Sequence, residues 1–292
     1  MYITDTGETR LYITIDPETP SNRLDFDIRF QSTIANNTTI DWGDGTTPEI
    51  KGSTTAQFYQ HIYAEPGEYV IKLKVNSGKI SFIGGAYAIY GNTSGYNHSK
   101  IKKIEIGNDV TTLGNSIFSN CYSLISVTIP NSVTAFGNST FSYCYSLKSV
   151  TIPNGITNID SQMFSNCCSL TSIILPSSIT SIGTNAFQNC YAFIHISIPN
   201  GIINIDRQTF YNCTSLMNLF FPSSLLTIGT YTFSNCHGLG ELHFYSTTPP
   251  TIDSSTLGGI PSDCKIYVPT ASVDTYKSAS NWSTYASYIY GE

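Results

Sequence analysis

Cys121, Cys144, Cys167, Cys190, Cys213 and Cys236 recur every 23 residues, and they are the most conspicuous reactive side chains in the sequence. Metal sites use close pairs and mixed ligands, whereas this even spacing repeats the pattern of a packed interior, so the six are read as buried free thiols. Cys167 and Cys168 are adjacent, without the two-residue gap of a metal or redox pair. Reduced thiols conflict with an oxidising compartment, and an anaerobic niche would remove the conflict. Catalysis would need a nucleophile beside a base, paired carboxylates in a cleft, or a glycine-rich phosphate loop. Gly-x-Ser-x-Gly, His-Glu-x-x-His and P-loop patterns are absent, so the chain is read as a non-enzyme with no catalytic, metal or cofactor-binding residue. Asp41, Asp44 and Gly45 are read as a turn whose carboxylates satisfy backbone N–H groups. The alternative there is calcium, which wants six or more oxygens where one short loop supplies few.

The elements that carry these residues follow from the same period. Leu124, Leu147, Leu170, Phe193, Leu216 and Leu239 are 23 apart with Ile101 one period earlier, and Phe118, Phe141, Phe164, Phe187, Phe210 and Phe233 keep the same register. Six copies therefore run from Ile101 to Gly238. In the copy from Leu147, Val150 and Ile152 alternate with Ser149 and Thr151, the signature of a short half-buried strand. Pro153 ends it, as Pro130, Pro176, Pro199 and Pro222 end theirs, because proline cannot donate to a ladder. Ile156 and Ile159 form a second strand-like turn, followed by Gly114, Gly137, Gly183 and Gly229 or by Asp160 and Asp206, residues suited to a tight bend.

One copy buries about seven apolar side chains, worth roughly 10 to 20 kcal/mol. Ordering its backbone costs about 23 to 46 kcal/mol. Copies must therefore stack, and seven strands from Ile101 to Leu242 would make a parallel sheet about 29 Å long at about 4.8 Å per strand. The Leu-x-Ser-Val/Ile-x-Ile-Pro run with Ile-x-x-Ile-Gly, Ala-Phe and Asn-Cys, clearest from Leu170 to Cys190, resembles the BspA-like leucine-rich repeats of bacterial and protist surface proteins. It covers about half of the chain. That resemblance implies a non-catalytic protein, cell-surface or secreted, that binds host matrix, glycans or other cells.

Residues 1–78 lack the register but alternate over Arg10–Ile15, Leu24–Phe30 and Tyr69–Val75. Asp41-Trp42-Gly43-Asp44-Gly45-Thr46, with His61-Ile62-Tyr63 and Pro66-Gly67-Glu68-Tyr69, is similar to the signature of PKD-like immunoglobulin-type domains, which implies an extracellular spacer or accessory module. The expected organisation is mainly β: a PKD-like sandwich at 1–78, a linker and amino-terminal cap at 79–100, the solenoid at 101–244 with a partial seventh copy, and a carboxy-terminal cap at 245–292. In that cap Lys265–Pro269 supplies a last strand and Ala271–Ser280 a short helix, with Trp282, Tyr285 and Ile289 covering the final edge.

Only 12% of residues are charged and the net charge is -6. Without a basic run to neutralise phosphates, nucleic acid is excluded as a partner. No apolar stretch approaches the roughly 18 residues of a membrane helix, and no signal peptide is visible. On the sheet's outward face one column reads Lys103, Ser126, Ser149, Ser172, His195, Asn218 and Glu241, and the next Glu105, Thr128, Thr151, Ile174, Ser197, Phe220 and His243. Serine and threonine are the default, so His195, Asn218, Phe220, Glu241 and His243 are the candidate partner-binding residues. A third column, Tyr122, Tyr145 and Tyr191, either stacks on sugar rings or packs along the array. The expected function is adhesion by a monomer that contacts a protein or glycan, extracellularly or at the cell surface. The alternative is a structural component of a surface or phage-tail-like appendage.

Overall fold

Glu8–Ile15 buries Thr9, Leu11, Ile13 and Ile15 and turns the residues between them toward solvent, and in the computed structural model it forms strand β1. The structure describes residues 7–15, 25–32, 35, 37–55, 57–76, 78–82 and 101–292. They divide into two compact units, Met1–Gly155 and Ile156–Glu292.

In the first unit β1 is followed by β2 (Asp25–Ser32), β3 (Thr38–Asp41), β4 (Glu49–Lys51), β5 (Gln57–Ile62), β6 (Gly67–Val75) and β7 (Ile80–Phe82). The repeats then contribute β8 (Ile101–Glu105), β9 (Val110–Leu113), β10 (Ser126–Thr128), β11 (Ala135–Phe136) and β12 (Ser149–Val150). Two sheets result, ordered β12-β10-β8-β1-β6-β3-β4 and β11-β9-β7-β2-β5. Each is part repeat and part amino-terminal module. Strand β1 runs antiparallel to both neighbours, with Leu11 opposite Ile71 on one side and Ile104 on the other. Strand β7 runs parallel to β9, with Phe82 opposite Leu113.

The expected linker at 79–100 therefore begins as a paired strand, Ile80–Phe82, and its remainder, 83–100, lies outside the described residues. The reason is the edge problem. The first coil of a solenoid presents two rows of unpaired backbone groups, and β1 and β7 satisfy one row each. At this seam the Gly107 N–H donates to the buried Thr9 hydroxyl at 2.9 Å. Nearby, both carboxylate oxygens of Asp109 are buried with no hydrogen-bond partner among the described residues, and that desolvation pushes its pKa up to about 6.

The second unit contains β13 (Asn158–Ile159), β14 (Ser172–Ile174), β15 (Ser181–Ile182), β16 (His195–Ser197), β17 (Asn204–Ile205), β18 (Asn218–Phe221), β19 (Thr227–Ile228) and β20 (Glu241–Phe244). Then come β21 (Lys265–Val268), the helix α1 (Val273–Ser278) between two 3-10 turns, and β22 (Ile289–Gly291). One sheet runs β13-β15-β17-β19, while the other face carries two parallel ladders, β14-β16 and β18-β20-β21-β22. The single unbroken sheet expected on that face is thus interrupted between β16 and β18. Strands of three or four residues offer few ladder bonds per pair, and across the interruption the register is kept by the Met217 N–H, which donates to the Ile194 carbonyl at 3.3 Å.

Inside this unit the rings of Phe164, Phe187, Phe210 and Phe233 stack at 5.6, 5.6 and 6.0 Å. The thiols of Cys190, Cys213 and Cys236 donate to the carbonyls of Phe164, Phe187 and Phe210 at 3.0 to 3.1 Å. They are buried and free. Burial pushes the Cys236 thiol up to about 12, so these side chains are core and not nucleophiles. Asn166, Asn189, Asn212 and Asn235 form an amide ladder, each later Nδ2 donating to the preceding Oδ1 at 2.7 to 2.9 Å. All four have positive φ, between 59 and 63°, the left-handed region that asparagine tolerates best among residues with a Cβ.

The glycine positions read as tight bends have another cause. A Cβ on Gly137 would lie 2.3 Å from the Asn115 backbone nitrogen, and one on Gly229 would lie 2.4 Å from that of Arg207. Glycine is needed there because the preceding coil approaches too closely for a side chain.

At the carboxy-terminal end Trp282 is buried, donates to the Pro250 carbonyl at 2.8 Å, and meets Phe244 and Tyr276 edge-on at 5.2 and 5.0 Å. Its expected core role holds. Ile289 does more than cover an edge, because it opens β22, which pairs in parallel with β21.

Candidate functional site

Strands β18, β20, β21 and β22 are in register, with Asn218 opposite Glu241, Phe220 opposite His243, His243 opposite Tyr267, and Tyr267 opposite Tyr290. Because parallel strands place equivalent side chains one strand apart, the outward aromatic residues form a column. Phe220 and His243 stack at 4.5 Å and 20°, His243 and Tyr267 at 4.8 Å and 21°, and Tyr267 and Tyr290 lie 6.1 Å apart. Phe220, His243 and Tyr267 cover one another's faces, while Tyr290 is tilted at 44° to Tyr267, so His243 offers solvent its edge and Phe220 keeps an outer face free of the stack.

His243 is the hub. Its Nδ1 lies 2.8 Å from a Glu292 carboxylate oxygen and its Nε2 lies 3.2 Å from one of Glu241. These contacts fix the ring plane and place two carboxylates beside the aromatic column. Lys265, exposed, sits opposite Glu241 in the register.

Of the five candidates read from the sequence, the structure brings Asn218, Phe220, Glu241 and His243 together on β18 and β20. His195 is exposed on β16, in the other ladder. Tyr267, Tyr290 and Glu292 were missed because β21 and β22 follow β20 by 24 and then 23 residues with the repeat motif erased. The signal that could have found them is the alternation in Lys265-Ile266-Tyr267-Val268 carried one further period to Ile289-Tyr290.

Among the described residues no group of three or more His, Cys, Asp or Glu side chains is placed to hold a metal ion. No helix among them is long and apolar enough to cross a membrane.

The family model described as the BspA type leucine-rich repeat region matches residues 88–194 and 157–279, in six copies. The chain belongs to the BspA-type leucine-rich repeat family. The search of curated proteins found no match. Among solved structures, this BspA-type chain is similar to a leucine-rich repeat protein of T. pallidum at 25% identity, over 55% of this chain and 80% of that one, with a TM-score of 0.47. It is also similar to the pneumococcal vaccine antigen PcpA at 19% identity, over 65% and 66%, with a TM-score of 0.31. A leucine-rich cell surface protein of Faecalibacterium prausnitzii matches at 22% identity, over 58% and 73%, with a TM-score of 0.24.

Two other features of this BspA-type chain bear on its surface chemistry. Tyr122 and Tyr145 stack on each other at 5.2 Å and 11°, so each covers one ring face with the other while both stay exposed. Tyr191, in the second unit, is exposed. In the amino-terminal turn, Asp41 accepts from the Gly43 N–H at 2.9 Å and from Lys72 at 2.9 Å. Asp44 accepts from the backbone and hydroxyl of Thr46 and faces His61 at 2.7 Å. Against the opposing effect of partial burial, these bonds hold the Asp44 carboxyl at about 2. All four carboxylate oxygens of the turn are engaged in it or with these neighbours.

Proposed function

We propose that the chain is a non-catalytic binding module, secreted or displayed at a cell surface, that engages a protein or glycan partner as a monomer through the outer sheet face of its last repeats. The observation that carries this reading is the column Phe220, His243, Tyr267 and Tyr290, four ring side chains on the outer face of the sheet in a protein whose solenoid surface defaults to serine and threonine. Phe220 and Tyr290 are exposed and His243 and Tyr267 partly so; apolar ring surface left open on one face is the usual mark of an interaction surface. The amino-terminal strands are read as a PKD-like immunoglobulin-type sandwich that serves as an accessory module, a reading supported by the Asp41–Thr46 turn and by its packing against His61 and Tyr63.

The test is an array of neutral and acidic glycans and matrix proteins probed with the purified chain. Saturable binding that Phe220→Ala and His243→Ala each weaken is the expected result. Binding untouched by both substitutions would overturn the assigned surface. No saturable hit at all would favour a structural component over an adhesin.

A further inference from the structure

The outward column of β14, β16, β18, β20, β21 and β22 reads Ile174, Ser197, Phe220, His243, Tyr267 and Tyr290. Its rings stop at Phe220. One period earlier stands Ser197, and Ser197 pairs in register with Ile174, which is 79% exposed. Between the Ile174 side chain and the outer face of Phe220 the column thus has a vacancy one strand wide, floored by a side chain of two heavy atoms. The vacancy coincides with the interruption between the two ladders, where Met217 N–H donates to the Ile194 carbonyl at 3.3 Å. At about 4.8 Å per strand, a ring placed over Ser197 would lie as far from Phe220 as His243 does on its other face, where the measured separation is 4.5 Å.

The rim is polar: Ser172 and His195 beside Ser197, and Asn218 beside Phe220. All three are at least partly exposed, and among the described residues none spends its side chain on a hydrogen bond within the protein.

Resting on the reading of this face as the contact surface, we propose that the vacancy over Ser197 is the subsite for one neutral pyranose ring of a glycan. A pyranose has an apolar C–H face that can lie on Phe220, with Ile174 against its other side, and a rim of hydroxyls that Ser172, His195, Ser197 and Asn218 can meet. An acidic sugar finds no Lys or Arg among the described residues of this rim, in a chain of net charge -6. An aromatic side chain from a protein partner could use both walls but would leave the polar rim unmatched, so the sugar is the better fit.

Saturation-transfer NMR on the full chain tests this with methyl β-glucopyranoside, methyl β-galactopyranoside, N-acetylglucosamine, sialic acid and N-acetyl-phenylalaninamide as probes. Transfer to the ring C–H protons of at least one neutral sugar, and none to sialic acid, is expected. Ser197→Phe fills the vacancy from within and should abolish the signal. Ser197→Ala keeps the vacancy and should weaken binding only about threefold, the worth of one exposed hydrogen bond. Phe220→Ala should weaken it about tenfold through the lost stacking surface. The proposal is overturned if no neutral sugar binds, if sugar binding survives Ser197→Phe, or if the phenylalanine amide alone binds in a manner that Ser197→Phe blocks, which would assign the slot to a protein side chain. Array binding that depends on His243 but ignores Ser197→Phe would retain the contact surface and reject this subsite.

Discussion

The repeats up to Gly155 and those from Ile156 onward share one sequence period but complete themselves by different means. In the first unit the amino-terminal strands enter both sheets, so that β1 lies between β6 and β8 and β7 lies between β2 and β9. In the second unit one face is extended by β21 and β22, and a short helix and Trp282 cover the core. The surfaces differ accordingly. Across the β1–β8 seam the outer face is a charge network, with Tyr12 and Lys103 both bonded to Glu105 at 2.9 and 2.6 Å and Lys103 lying over the Tyr12 ring. Against the desolvation of partial burial, these donors hold the Glu105 carboxyl below its usual range. The second unit's outer face carries the aromatic column instead. A strand shared by two modules carries outward side chains that satisfy each other by charge, whereas the last coils stack theirs as rings and leave Phe220 and Tyr290 exposed.

The strongest way to break this comparison is to disrupt β1. Leu11 is fully buried with strands on both sides, and Leu11→Asp should cost more than about 4 kcal/mol by burying an unpaired charge. Hydrogen exchange would show protection lost in β8 and β10 together with β6. If the module were a bead on a linker, the repeat amides would keep their protection. At the other end, Trp282→Ala should cost about 3 to 5 kcal/mol, read from urea denaturation, with exchange rising first in β20, β21 and β22. An unchanged denaturation midpoint would mean that the cap adds nothing to the closure of that end.

The period, the core ladders and the strand-ending prolines were legible because each is a side-chain requirement repeated five or six times. So was the placement of Asn218, Phe220, Glu241 and His243 on neighbouring strands, since departures from serine and threonine stand out against the repeat. The joining of β1 and β7 to the repeats was not legible, because strand pairing between distant segments leaves no periodic trace and an alternating strand reads the same beside any partner. The asparagine before five of the six ladder cysteines was seen, but its left-handed backbone and its amide rungs were not, as a sequence pattern carries no φ. Glu292 escaped for a similar reason: its contact with His243 spans 49 residues.

A smaller effect should appear at the seam of the first unit. The unfolded Asp109 carboxyl releases its proton near 3.8, while the folded one holds it up to about 6. Between those values the folded state carries the extra proton, so stability falls as pH rises through this window and is restored below it. Asp109→Asn removes the buried charge and should stabilise the protein at pH 8 by about 1 to 3 kcal/mol, with little change at pH 4. Urea midpoints measured across pH 4 to 8 check this. A variant with the same pH slope as the parent would mean that water or a cation reaches Asp109.

The smallest expected effect concerns the asparagine column, where the two units differ by a single residue. In the second unit four asparagines hold the left-handed position and bond to one another. In the first unit Asn120 is followed one period later by Tyr143, whose φ is 61°. Left-handed backbone costs an ordinary L-residue about 1 to 2 kcal/mol, and asparagine is among the residues that tolerate it best. Tyr143→Asn should relieve part of that strain and place an amide within reach of Asn120, at the loss of an edge contact between Tyr143 and Tyr145 at 6.1 Å. The net gain should be about 0.5 to 1 kcal/mol, after a ring contact worth about 0.5 kcal/mol is set against it. A rise in the urea midpoint without a change in slope would show that the left-handed position, and not the identity of the ring, limits the first unit. A fall would assign Tyr143 a packing role that its exposed ring does not otherwise reveal.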